Sequence, residues 1–189
     1  MSYWLDLVGS YIIGAMVVVL ISMLDIFIGT SSTNVVFNNI VQGNLSAAVD
    51  VIHNDFYKIG YRSSGQSIEV ADSNQIKFHA DIKNYGIIDT IYYYIGNASQ
   101  LTSSKNPNDK LLYKELNDST PLPSITLTNF KLTYYDSLGE NISYSDLVSQ
   151  SYRDKIRTIE VYLKVESQEP VDGVYQGAEW LEKITPKNL

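Results

Sequence analysis

One acidic side chain, Asp6, stands at the entry of a long apolar segment. Residues 7–24 carry no charge, and no lysine or arginine occurs before Lys58. A carboxylate left in hydrocarbon costs about 2.5–3.5 kcal/mol at the centre of a bilayer and less near its boundary. Two interpretations follow. Either Asp6 lies among lipid headgroups and stabilises the start of a helix, or it pairs with the free α-amino group of a neighbouring subunit.

Three small residues follow this acid: Gly9, Ser10 and Gly14. Small side chains allow two membrane helices to approach each other closely, so these positions are candidate helix-packing sites. Ordinary transmembrane composition also explains them, and both explanations stay open here.

The sequence contains no convincing set of residues for metal binding or for catalysis. Residues 81–89 begin and end with aspartate, but Lys83 and Tyr85 stand where a calcium loop needs oxygen ligands, so we expect a hairpin turn. The two histidines, His53 and His79, are far apart and have no partner at ligand spacing. Neither a phosphate loop nor a convincing nucleophile and base can be found. We therefore expect no metal, no cofactor and no enzymatic activity.

Four asparagines stand in the N-x-S/T pattern of glycosylation sites: Asn44, Asn97, Asn117 and Asn141. Asparagine and serine are abundant here, so chance matches are expected. The pattern matters only if the host glycosylates proteins outside the cytoplasm.

The composition limits the partners. The chain has 189 residues, a formal net charge of −7 and no cysteine. An acidic protein lacks the clustered lysines and arginines that nucleic-acid binding needs, so we expect no nucleic-acid partner. Without cysteine the chain forms neither disulfides nor thiolate metal sites.

The segment that carries Asp6 has membrane length. About 18–20 apolar residues cross a bilayer core of roughly 30 Å, and the apolar character here continues through Ile28. A buried core helix and a cleaved signal peptide are the alternatives; the missing basic start and the long apolar core argue against the signal peptide. We expect a single-pass protein with a cytoplasmic N-terminus and an extracytoplasmic C-terminal domain.

The helical pattern continues beyond the membrane segment. Apolar residues recur every three or four positions and predict one buried helical face. These candidate helix–sheet packing residues are Phe37, Val41, Leu45, Ala48, Ile52, Phe56 and Ile59. The sequence favours one helix over residues ~3–59, about 85 Å long, with Gly60 as its stop and a bend near Gly29.

The period then changes to two, which is typical of strands. Residues 75–82 and 89–95 predict a hairpin, and residues 111–115, 125–135 and 155–166 predict further strands. An antiparallel sheet needs cover on its apolar face, and the amphipathic helix can supply it. The predicted fold class is α+β, with a transmembrane segment (1–29), an amphipathic continuation (30–61) and a β domain with a C-terminal tail (62–189).

This layout resembles type IV pilins and the pseudopilins of type II secretion. Residues 2–8 (SYWLDLV) are similar to the family's mature N-terminus F-T-L-I-E-L-L, with Asp6 where the family keeps a glutamate. Residues 50–61 resemble the end of the long helix in W-type minor pilins and J-type pseudopilins. Residues 74–93 resemble their N.I.F…D.I.Y hairpin, and residues 180–189 their closing V.PRNL.

The resemblance implies a pilin-like fold and a non-enzymatic minor pilin or pseudopilin. Its implied partners are other pilin-like subunits, membrane lipid and the inner-membrane assembly machinery. The implied location is the bacterial cytoplasmic membrane or, after assembly, an extracellular filament in which Asp6 pairs with the next subunit's amino terminus. The family's basic leader is not written here, so we expect either that it was removed or that the protein is a divergent, unprocessed member.

The alternative hypothesis is a permanently anchored extracytoplasmic subunit or binding module of an envelope complex. The intact mass of the protein from its native membrane separates the two. A shortened or N-methylated amino terminus supports processing.

Overall fold

A computed structural model of the protein describes residues 2–97, 101 and 104–189. It begins with one long helix, α1 (Ser2–Tyr57), which is followed by a β-rich part. The strands are β1 (Ile68–Ala71), β2 (Gln75–Ala80), β3 (Asp89–Ile95), β4 (Lys110–Leu116), β5 (Leu122–Leu127), β6 (Asn129–Tyr135), β7 (Asn141–Ile142), β8 (Thr158–Glu166) and β9 (Gly177–Ile184). A 3₁₀ turn (Asp146–Val148) and a short helix, α2 (Gln150–Arg153), lie between β7 and β8. The α+β class is confirmed.

The strands form two antiparallel sheets rather than one. The first has the order β1-β2-β3-β4-β5, and the second has the order β7-β6-β8-β9. The apolar faces of both sheets and one face of α1 share a single core. Helix α1 packs chiefly on β9 and β8.

The helix prediction is confirmed with an earlier end. Helix α1 runs through Gly29 without interruption, and the hydroxyl of Thr33 donates to the carbonyl of Gly29 at 2.9 Å. It ends at Tyr57, and Gly60 lies in the turn that follows, with a positive φ of 76°. A β-carbon on Gly60 would lie 2.8 Å from the carbonyl oxygen of Asn188, so both the conformation and the space require glycine.

The hairpin of β2 and β3 is confirmed, with Phe78 opposite Ile91. The prediction of one strand over residues 125–135 is wrong. The chain leaves the first sheet after Leu127, and the backbone N–H of Thr128 donates to the carbonyl of Lys164 in β8. From Asn129 it continues as β6 in the second sheet. The predicted strand is therefore two strands, which belong to different sheets.

Most of the predicted C-terminal tail is part of the second sheet. Residues 177–184 form β9, which pairs with β8 along its whole length and contacts α1. Strand β1 is a further element that the sequence did not indicate. It is short, and a bulge near Ile68 and Val70 interrupts its pairing with β2.

Candidate functional site

The most exposed apolar surface of the molecule is the first part of α1, residues 3–28, which we call the apolar half. Every large apolar side chain in it is exposed, from 45% for Leu7 to 88% for Tyr3. This helix is long and apolar enough to cross a membrane, by length and composition. The β-rich part does not cover this surface. A large apolar surface is unfavourable in water, so we expect lipid or another protein to cover it.

Asp6 lies in the first turns of the apolar half and is exposed. Within the described residues, no side chain forms an ion pair or hydrogen bond with it. The described helix begins at Ser2 and has no acid in its first turn, so Asp6 lies too far along α1 to cap its start. Its pairing with a neighbouring amino terminus stays a prediction.

The three small residues leave a shallow surface on the same helix. A β-carbon placed on Gly9 or Gly14 would meet no atom within 4 Å. The hydroxyl of Ser10 donates to the carbonyl of Leu7 at 2.8 Å, so this polar group is satisfied within the helix. Another helix can approach here without burying an unpaired hydroxyl, which is what close helix packing in a membrane requires.

The last part of α1, residues 37–57, differs from the apolar half, and we call it the packed half. Phe37 is half-buried at its start. Phe56 lies edge-on against Phe78 and Tyr93, with ring centroids 5.8 and 5.7 Å away. The fully buried predicted residues are Val41, Leu45, Ala48, Ile52 and Phe56, followed by Ile59 in the turn after the helix.

A buried acid joins the packed half to the first sheet. Asp55 is 2% exposed, and its Oδ2 accepts a hydrogen bond from the hydroxyl of Tyr93 at 2.5 Å and another from Nζ of Lys114. Burial, together with the Asp55 carboxylate, raises the pKa of Tyr93 far above its usual range, so the hydroxyl stays a donor. Sequence reasoning missed this cluster. The available signal was an acid, Asp55, on the same helical face as Ile52 and Ile59.

A second buried acid holds the turn between β2 and β3. Asp81 accepts hydrogen bonds from the backbone N–H groups of Tyr85 and Gly86 at 3.0 and 2.8 Å, and from Arg62 at 2.8 Å. Burial acts to raise the pKa of Asp81, but these three donors outweigh it and lower the pKa below its usual value. The carboxylate oxygens of Asp81 are thus already used as hydrogen-bond acceptors that stabilise the turn. Across the described residues, no three acidic or histidine side chains group as metal ligands.

A cleft of about 240 Å³ lies beside the end of α1. Its cations are already engaged: Nζ of Lys58 donates to the carbonyl of Ile82 at 2.9 Å, and Nζ of Lys187 lies 5.5 Å from the ring centre of Tyr57. The cleft is therefore a packing feature of the helix end. Its lining residues are Tyr57, Lys58, Tyr61, Asn84, Lys187 and Asn188.

The candidate glycosylation sites lie in different surroundings. Asn44 is exposed on α1, and Asn141 is exposed in β7. Asn117 is engaged in structure, since its side chain accepts from the N–H of Thr90 at 2.8 Å and donates to Asp89 at 2.7 Å. Asn97 is exposed, but the two residues that complete its pattern lie outside the described residues.

Comparisons with known proteins give no relative. No protein-family model, no curated protein and no solved structure matches this chain. A long apolar helix packed on antiparallel strands is compatible with a pilin-like fold.

Proposed function

We propose that this protein is a non-enzymatic, pilin-like subunit that assembles with other pilin-like subunits through the apolar half of α1. The observation that carries the proposal is that the two halves of this one helix differ in exposure. Its packed half is built into the core, whereas its apolar half is exposed throughout. A helix that only held the fold together would not need an apolar extension that the fold leaves bare.

The exposed surface suits two environments in turn. In the membrane, the apolar half spans the hydrocarbon, and the β-rich part lies outside the cytoplasmic membrane. In a filament of the pilus or secretion type, the same surface packs on the helices of neighbouring subunits. Lipid tails are as apolar as leucine, so helix association depends on close packing and polar pairs rather than on hydrophobicity. Gly9, Ser10 and Gly14 would give the close packing, and Asp6 the polar pair.

Cysteine cross-linking in native membranes tests this proposal, because the chain has no cysteine of its own. Ser10→Cys places one thiol on the helix-packing surface, and Ser137→Cys places one in an exposed loop of the β-rich part as the control. Oxidation should join the Ser10→Cys protein into disulfide-linked dimers, because one thiol per chain forms one disulfide. We expect these dimers both between copies and with other pilin-like subunits that carry one cysteine at the same depth of the membrane. The Ser137→Cys protein should stay monomeric.

The same assay examines Asp6. Introducing Asp6→Ala into the Ser10→Cys protein should abolish these dimers, and Asp6→Glu should retain them. Cross-links to one protein of a different kind only, with none between copies and none to other pilin-like subunits, would instead favour the permanently anchored subunit of an envelope complex. Monomers only, in membranes where the protein is folded, would refute assembly through this helix.

A further inference from the structure

A second acid, Asp25, lies near the other end of the apolar half. It follows Asp6 after 18 uncharged residues, which corresponds to about 28 Å along a helix. Three large apolar residues, Ile26, Phe27 and Ile28, come after it and are exposed. Asp25 therefore lies inside the apolar run, about one turn before its end, rather than beyond it.

Asp25 has no partner in its own helix. Its carboxylate is exposed, and within the described residues no side chain pairs with it. The nearest hydroxyl on the same helical face is that of Ser22, which already donates to the carbonyl of Val18 at 2.9 Å. When another helix covers this face, the acid loses water and gains nothing from its own chain in return.

A second copy of this chain does not supply the missing charge. Residues 1–52 contain no lysine, arginine or histidine. Two copies packed in register along this face bring two carboxylates together, which is unfavourable. In the assembly proposed above, the amino terminus of a neighbouring copy is already the partner of Asp6.

We propose that Asp25 is the contact point for a membrane-spanning helix of a different chain, one that carries a lysine or arginine at the depth of Asp25. Ionisable groups inside a membrane pair with one another, and an acid is matched by a base. The contact face consists of Asp25 and its helical neighbours Ile21, Ser22, Ile28 and Gly29. This inference rests on the proposed function, and it adds that the assembly is mixed.

The consequence is selectivity. The apolar surface of α1 fits many helices equally well, because apolar packing has little directional preference. One acid without a basic counterpart in its own chain penalises copies of itself and favours a basic partner. Asp25 thus sets which subunit lies next to this one and at what height along the helix.

Vesicle reconstitution with defined peptides tests the inference. The full chain is placed in phosphatidylcholine vesicles with a synthetic leucine-rich transmembrane peptide that has one lysine near its boundary, and association is measured by fluorescence energy transfer. The control peptide has methionine in place of lysine. We expect the lysine peptide to bind about tenfold more tightly, since polar contacts between membrane helices contribute about 1–2 kcal/mol.

Two variants of the protein complete the experiment. Asp25→Asn should reduce the preference for the lysine peptide to about one, whereas Asp50→Asn, which removes an exposed acid from the packed half, should leave it unchanged. Circular dichroism of the β-rich part should be the same in all three proteins, because both acids lie outside the core.

Equal binding of the two peptides, or an unchanged preference in Asp25→Asn, would overturn the inference. So would self-association of the chain that is tighter than peptide binding and depends on Asp25. These results leave the proposed function intact if the Ser10→Cys dimers still form in native membranes. Absence of these dimers refutes the proposed function whatever the peptides do.

Discussion

The apolar half and the packed half of α1 belong to one uninterrupted helix, yet they differ in what surrounds them. In the packed half, apolar residues recur on one face, and that face is buried in the core. In the apolar half, apolar residues stand on all faces, and none of the large ones is buried. The more hydrophobic half is thus the more exposed one. Burial follows the period of the apolar residues and the polar face that accompanies it, rather than their number.

Truncating one phenylalanine in each half tests the difference between them most directly. Phe56 is fully buried and Phe27 is 69% exposed. Phe56→Ala should lower the free energy of unfolding by about 3–5 kcal/mol, because it removes buried contacts and leaves a cavity in the core. Phe27→Ala should change it by less than about 0.5 kcal/mol. Urea unfolding of the full chain in detergent, followed by near-ultraviolet circular dichroism, measures both. Similar losses would mean that the two halves do not differ.

A smaller effect is expected from the charge that anchors the packed half. Asp55→Asn keeps a partner for Tyr93 but leaves Lys114 without its counterion. Removing one member of a buried pair is costly, but the Lys114 side chain is 27% exposed and water offsets part of the loss. We expect a decrease of about 2 kcal/mol in the free energy of unfolding. Asp50→Asn, an exposed acid on the same helix, is the control and should change little. Equal effects of the two would mean that the Asp55 contacts do not hold the helix.

The smallest effect concerns the junction after the packed half, where Arg62 binds Asp81. The folded state lowers the pKa of Asp81, so its stabilisation is complete above the usual aspartate pKa of about 3.9 and is lost as the pH falls through the lower folded pKa. Asp81→Asn should therefore have a lower free energy of unfolding than the natural protein at neutral pH. This difference should disappear in strong acid. Unfolding curves at several pH values measure it. If the difference in the free energy of unfolding persists in strong acid, the charge of Asp81 does not cause it.

Regular patterns made much of the fold predictable from the sequence. Strands β2 and β8 alternate throughout between buried and half-buried residues, and β3 does so up to Tyr94. The packed half keeps its helical period. The division at Thr128 also left a signal. The apolar residues stand at odd-numbered positions in Ile125 and Leu127 and at even-numbered positions in Phe130 and Leu132, a shift that marks a change of face.

Other features depend on contacts between distant residues. Strand β9 has a polar residue, Glu182, at a position where alternation predicts an apolar one. Its carboxylate lies 3.7 Å from the His53 ring on α1, a contact that no local pattern reveals. Similarly, Lys114 stands 59 positions from Asp55, so the fold alone brings them together. The candidate site was easier to predict, since the apolar half depends on composition rather than on contacts.

The continuity of α1 also has a mechanical meaning. Any force that pulls on the apolar half travels along a hydrogen-bonded rod and reaches the core without passing through a flexible joint. There it acts as shear, parallel to the packed face, so that the contacts of Phe56 and the Asp55 anchor resist it together rather than one after another. In the assembly proposed above, a pull on α1 would therefore load the core contacts together while the β-rich part stays folded.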